Sequence, residues 1–297
     1  MGRLNSKRLQ NQISEQRSPI VVYTPESQLR HPIQLFRQMW QDLLTCRELA
    51  WQLLVRNISA QYRQSFLGIF WAFVPPIVTA IGFTFANNAK IVNIGATDIP
   101  YPAYVMFSMA LWQTFTEALN GPVQAVSSAK QMLARINFPR EALILAKLGE
   151  VFFNFAIKLV LIVGLFFWFR IPVPWTVILA PVALIHLVIL GTFFGLLLAP
   201  LSVLYNDISK GLTLIVGLWL FLTPVVYPLP KGGGLAKLVQ LNPATPLLVT
   251  TRELATTGIV SNPYGFWVAS IFAIVGLLLA WLVYRLAMPF VVERISS

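Results

Sequence analysis

Cysteine is all but missing: Cys46 is the only one in 297 residues, so no disulfide can form within the chain. Histidine is nearly as scarce. His31 and His186 lie far apart, which excludes a clustered metal site or an H-E-x-x-H zinc helix. The 11 acidic residues are scattered, with no D-x-D pair, and no G-x-S-x-G nucleophile elbow occurs. A membrane-embedded glycosyl or acyl transferase would have only His186 and Asp207 to draw on, so no catalytic residue is assigned. The chain also lacks G-x-x-x-x-G-K-[ST], the loop that cradles nucleotide phosphates; any energy from ATP must enter through another subunit. The first thirty or so residues contain no apolar core of the kind a cleaved signal peptide needs, and the N-terminus is expected to be retained.

Charge is sparse as well. Charged residues make up 11% of the chain against 57% hydrophobic, and the mean hydropathy is +0.69, too apolar for a soluble domain. An all-α membrane protein is expected. Runs long enough to span a bilayer fall at about 68–88, 100–120, 143–168, 176–200, 212–229 and 264–285, giving six transmembrane helices. The net charge of +11 then reads as a topology signal and not as a nucleic-acid surface. In this scheme one side collects most of the basic residues, from Arg3 through Lys130, Arg135 and Arg140 to Arg294, whereas the other receives Lys90, Arg170, Lys231, Lys237 and Arg252. Both termini are therefore expected in the cytoplasm, with residues 1–33 a flexible arm and 34–297 one transmembrane domain.

Three features depart from plain spans. Ahead of the first, apolar residues including Phe36, Trp40 and Trp51 recur at three- and four-residue steps between Arg37, Gln52 and Arg56, predicting an amphipathic interfacial helix over 34–60. It is either a surface anchor or a moving gate beside a transport path. Between the fifth and sixth spans, Asn242, Pro243 and Pro246 of "NPATP" separate two short apolar helices, with Thr245 as N-cap, Pro246 in the first turn and Gly258 at the end. That pattern predicts an external re-entrant hairpin, or else an amphipathic external loop. Third, Lys147, Glu150, Asn154 and Lys158 are spaced by three, four and four residues and form one polar stripe on the third span. Charges facing lipid are costly, so the stripe faces protein or water: either Glu150 pairs with Lys147 or Asn154, or the stripe walls a polar path.

The segments "YRQSFLGIFWAFVPPI", "INFPREALILAKLGEVFFNF" and "LTPVVYPLP" followed by "LNPATPLLVTTRELATTG" resemble, in order and spacing, the membrane subunit of bacterial ABC exporters for lipid-linked polysaccharides such as O-antigen, capsule and wall teichoic acid. The resemblance runs from about residue 34 to the end. It implies a permease of the bacterial inner membrane that forms a homodimer, binds two copies of a separate ATPase holding ATP and Mg, and moves a lipid-linked glycan. It further implies that Arg135, Asn137, Phe138, Pro139, Arg140 and Glu141 form the ATPase-coupling loop. Glu150, Asn154 and Lys158 would then face the glycan, with Tyr101, Tyr104 and Trp112 as candidate aromatic platforms, although an interfacial aromatic belt accounts for these three as well. A drug or small-molecule exporter of the same fold is the alternative. The paired Pro75 and Pro76 are expected to kink the first span.

Overall fold

A computed structural model describes residues 32–63, 68–91, 94–135, 138–205, 207–230 and 232–296, and among these residues it is helical without a strand. Two compact units are distinguished, Met1–Gln41 and Asp42–Ser297. Of the first, the described residues are the opening turns of α1 (Pro32–Thr45). The second holds the remaining helices: α2 (Arg47–Arg63), α3 (Val74–Asn88), α4 (Tyr101–Ser128), α5 (Lys130–Arg135), α6 (Glu141–Trp168), α7 (Ala180–Leu204), α8 (Asp207–Leu222), α9 (Gly234–Leu241), α10 (Ala244–Thr256) and α11 (Pro263–Ser296). Short 3₁₀ turns at Gly68–Ala72 and Trp175–Leu179 lead into α3 and α7.

Among the described residues, three stretches are long and apolar enough to cross a bilayer: Glu141–Trp168, Trp175–Leu204 and Pro263–Ile295. The other runs read from the sequence give helices of a different kind. α3 and α8 are only 15 and 16 residues long, and α4, at 28 residues, carries Gln113, Glu117, Asn120 and Gln124 within its length. The expected single amphipathic helix over 34–60 is two helices that meet at Cys46, although the amide ladder continues through it: Cys46 N donates to Asp42 O and Ala50 N to Cys46 O. The kink expected at Pro75 and Pro76 is not there. Both prolines occupy the first turn of α3, where a missing N–H leaves no gap in the ladder.

α4 is the central element, in contact with α3, α6 and α7, while α11 and α10 pack on the other flank of α7. Close approach of α4 and α7 depends on glycine. A Cβ on Gly191 would stand 2.6 Å from the carbonyl of Phe115, and one on Gly195 would collide with the carbonyl of Leu119, so the G-x-x-x-G of α7 is what lets the two backbones touch. Hydroxyls then bridge the seam, with Ser127 Oγ 3.2 Å from Ser202 Oγ. Elsewhere, α2 lies on α6 through Leu54, whose Cδ2 would be 2.7 Å from a Cβ on Gly149.

Candidate functional site

The polar stripe of α6 faces protein on one side and a large cavity on the other. That cavity, about 1070 Å³, is bounded by α2, α4, α5 and α6, and it is lined by Arg56, Asn57, Asn120, Gln124, Arg135 and Lys147 among others. A second space of about 430 Å³ continues the polar surface past Gln113 and Lys158 toward Trp71 and Pro75. Gln61, Glu117 and Asn154 border both.

The pairing alternative is realised at Glu150, and the stripe also borders the cavity. Lys147 Nζ donates to Glu150 Oε2 at 2.5 Å, and Asn57 Nδ2 of α2 donates to Glu150 Oε1 at 2.7 Å, so Glu150 fastens the amphipathic helix to α6. Asn154 and Lys158 both reach a second carboxylate, that of Glu117. Asn154 Nδ2 donates to Glu117 Oε2 at 3.2 Å and Lys158 Nζ to Glu117 Oε1 at 2.5 Å. Glu117 comes from α4 and was not singled out from the sequence. Its signal was available: Gln113, Glu117, Asn120 and Gln124 recur at four, three and four residues, the same face-forming rhythm as the α6 stripe opposite. Two polar helix faces thus meet, and their ionised groups are matched pairwise while amides remain along the cavity wall. Such a surface suits a hydrated, hydroxyl-rich solute better than an apolar one.

At one end of the cavity α5 presents Arg135, which is exposed and lines the cavity wall. Asn137 lies outside the described residues. Phe138 is half-buried against the apolar cluster that also holds Leu133 and Leu143, Pro139 is exposed, and Arg140 precedes α6 with Leu143 N donating back to its carbonyl. Glu141 is buried, and its Oε1 accepts from Arg285 NH1 at 3.4 Å; Arg285 NH2 also donates to Asp42 Oδ2 at 2.7 Å. Tyr284 OH donates to the Arg140 carbonyl at 3.4 Å. The start of α6 and the end of α1 are therefore both held by the last helix. Of the amphipathic residues, Trp40 and Trp51 are exposed and Arg56 lines the cavity, while the side chain of Phe36 is outside the described residues.

The aromatic candidates are placed away from both cavities. Tyr104 is enclosed, its OH donating to Tyr227 O at 2.9 Å, with the Arg252 guanidinium 4.1 Å from its ring centroid. Trp112 is buried against Phe115 and Trp219, and Tyr101 OH donates to Val226 O at 2.8 Å. Together these residues hold the turn after α8. Arg252, counted in the sequence among loop cations, is buried with NH1 on Ser108 Oγ at 2.8 Å and on Pro224 O at 3.2 Å.

α9 and α10 form the helical pair expected around "NPATP", with one correction. Thr245 is not the cap: Pro243 occupies the N-cap position, and the Asn242 side chain does the work, its Oδ1 accepting from Ala244 N at 3.1 Å and from Trp219 Nε1 at 2.9 Å. Asn242 Nδ2 donates to Thr223 Oγ1 at 2.9 Å, so one amide ties the turn to α8. Pro246 falls in the first turn of α10, and Gly258, at φ +76°, ends that helix with its N–H on Glu253 O.

Residues 48–255 match the family described as ABC-2 type transporter. The chain is also 27% identical, over 229 residues, to the O-antigen export system permease protein RfbA of Myxococcus xanthus, covering 75% of this chain and 84% of that protein.

Proposed function

Because the chain belongs to the ABC-2 type transporter family, a family of multi-pass membrane permeases, we propose that it is the transmembrane subunit of an ATP-driven exporter that moves a lipid-linked polysaccharide, O-antigen or a similar surface glycan, across the bacterial inner membrane. The observation that carries this reading is the pair of polar faces on α4 and α6. Opposed across a cavity of about 1070 Å³, they offer amides and paired charges where a lipophilic cargo would need an apolar wall.

In this reading α3, α4, α6, α7, α8 and α11 are the six crossings, α1 and α2 lie at the cytoplasmic surface and border the path, and α9 and α10 re-enter the outer leaflet. Residues 1–31, the greater part of the expected cytosolic arm, lie outside the described residues. Both termini are cytoplasmic, since the basic residues concentrate on that side. Two copies assemble around one path and each takes one ATPase, which supplies ATP and Mg. The segment Arg135–Glu141, anchored through Glu141 to Arg285 and through the Arg140 carbonyl to Tyr284, is the ATPase contact that passes movement into α6.

Proteoliposomes holding the chain with its cognate ATPase test the proposal. ATP-dependent transfer of a lipid-linked glycan to the opposite leaflet is the expected result, with no ATP hydrolysis by the chain alone. ATP-dependent movement of a small lipophilic drug without movement of the glycan would overturn it.

A further inference from the structure

The cavity of about 1070 Å³ has no aromatic side chain among its described lining residues. The smaller one, of about 430 Å³, has Trp71. This residue belongs to the 3₁₀ turn Gly68–Ala72, which touches α2, α3 and α6 and is closed by Phe73 N donating to Phe70 O. Trp71 is 58% exposed; among the described residues its ring stacks on no other and its indole N–H has no hydrogen-bond partner. Gln113 of α4 lines the same space, half-buried, and its side-chain amide has no partner among the described residues either. Glu117 completes the polar side, with its carboxylate already holding Lys158 and Asn154.

An open indole beside unpaired amide groups selects among ligands. Glu117 and Lys158, the two charged residues of the described lining, answer one another, so neither an anion nor a cation meets a free countercharge there. An apolar cargo would dry the Gln113 amide and return no hydrogen bond. A pyranose meets both conditions. The C–H groups on its face carry partial positive charge and suit the negative face of an aromatic ring, while its hydroxyls donate and accept at amides and at a carboxylate. The volume lies within the range of small-ligand sites. We infer that Trp71 is the stacking platform of a subsite for one neutral pyranose of the cargo, with Gln113 bonding its hydroxyls. The inference rests on the export reading above and deepens it. Because Gln61, Glu117 and Asn154 border both cavities, a glycan in the larger one reaches the platform along a continuous polar wall.

The test uses the full chain with its ATPase in lipid nanodiscs. Maltotriose is the neutral probe, trigalacturonate the acidic control and sorbitol the acyclic one, and binding is followed by saturation-transfer NMR and calorimetry. Saturable maltotriose binding in about the millimolar range is expected, weaker by about tenfold in Trp71→Leu and kept in Trp71→Tyr, which retains an aromatic face. Gln113→Leu should weaken it by about threefold; this variant removes an amide that has no partner in the protein, so it reads the site even if Trp71→Leu folds poorly. Equal binding by wild type and Trp71→Leu would overturn the assignment and leave Trp71 an interfacial anchor. So would equal losses in Trp71→Leu and Trp71→Tyr, undiminished binding in Gln113→Leu, or a preference for trigalacturonate or sorbitol. Should the complex move lipid-linked glycan while maltotriose does not bind, the subsite fails and the export reading stands. Should maltotriose bind through Trp71 while the complex moves no glycan, the export reading fails and the sugar site stands.

Discussion

Lys158 Nζ lies 2.5 Å from Glu117 Oε1, joining α6 to α4 across 41 residues of sequence, and the two partners are buried to different degrees: 2% of the Lys158 side chain is exposed against 32% of Glu117. The carboxylate is partly open; the ammonium is almost wholly enclosed.

That difference sets the order of the two single mutants. Glu117→Gln leaves the enclosed ammonium without its countercharge and should cost most, toward the 3–5 kcal/mol typical of a broken buried pair. Lys158→Met strands a carboxylate that can still reach water and Asn154, so a smaller loss is expected. The double mutant should recover much of the stability. Thermal unfolding in detergent across this double-mutant cycle is the measurement; equal costs for the two single changes would refute the asymmetry.

Gly195 and Gly149 give a second contrast. A methyl at Gly195 would meet backbone, the Leu119 carbonyl, which cannot swing aside, so Gly195→Ala should force α7 from α4 and cost about 1–3 kcal/mol. At Gly149 the obstacle is the tip of Leu54, a flexible side chain, and Gly149→Ala should cost less. Melting temperatures of the two variants, compared in one detergent, decide this.

Asn242→Ala removes the acceptor for two donors, Trp219 Nε1 and Ala244 N, in an almost fully enclosed turn. Each stranded donor should cost about 1–3 kcal/mol. Asn242→Asp keeps the acceptor and loses the donations to Thr223 Oγ1 and to the Leu222 carbonyl, so it should fall between wild type and Ala. Proteolysis in the α9–α10 turn, followed by mass spectrometry, would report the loosening directly.

Cys46 should be inert to maleimide at neutral pH. Burial, with a smaller push from the Glu141 carboxylate, raises its thiol pKa to about 11, so the reactive thiolate forms only as pH rises toward that value. Labelling at pH 7.5 should be negligible in the folded chain and complete in denaturant. Rapid labelling of the native protein would contradict the burial.

The helical character and the α6 stripe were legible because polar residues at helical spacing inside an apolar run have few physical explanations. The partner of the stripe was missed for a specific reason. Glu117 sits in a run that meets the length requirement for a span, and its periodicity with Gln113, Asn120 and Gln124 is hidden among the apolar residues of that run. Thr245 and Asn242 show a different limit. Both can cap, and only the position of Trp219 on α8, which occupies the second lone pair of the Asn242 carbonyl, favours one over the other. Tyr104 and Trp112 were open between platform and belt, and their enclosure was not legible: α8 and its following turn cover them from more than 100 residues away in sequence. Arg252 belongs with these, since its burial depends on Ser108 and Tyr104 together.

Arg285 has a consequence for biogenesis. It grips Asp42 and Glu141, which precede it by 243 and 144 residues, and a ribosome makes those acids long before the arginine emerges. Until the last helix is inserted, Asp42 near the end of α1 and Glu141 at the start of α6 lack the cation that joins them. The tie forms at the end of synthesis, so a chain truncated within α11 ahead of Arg285 would leave the start of α6 without it, and the arginine acts as a completion mark that separates finished subunits from fragments.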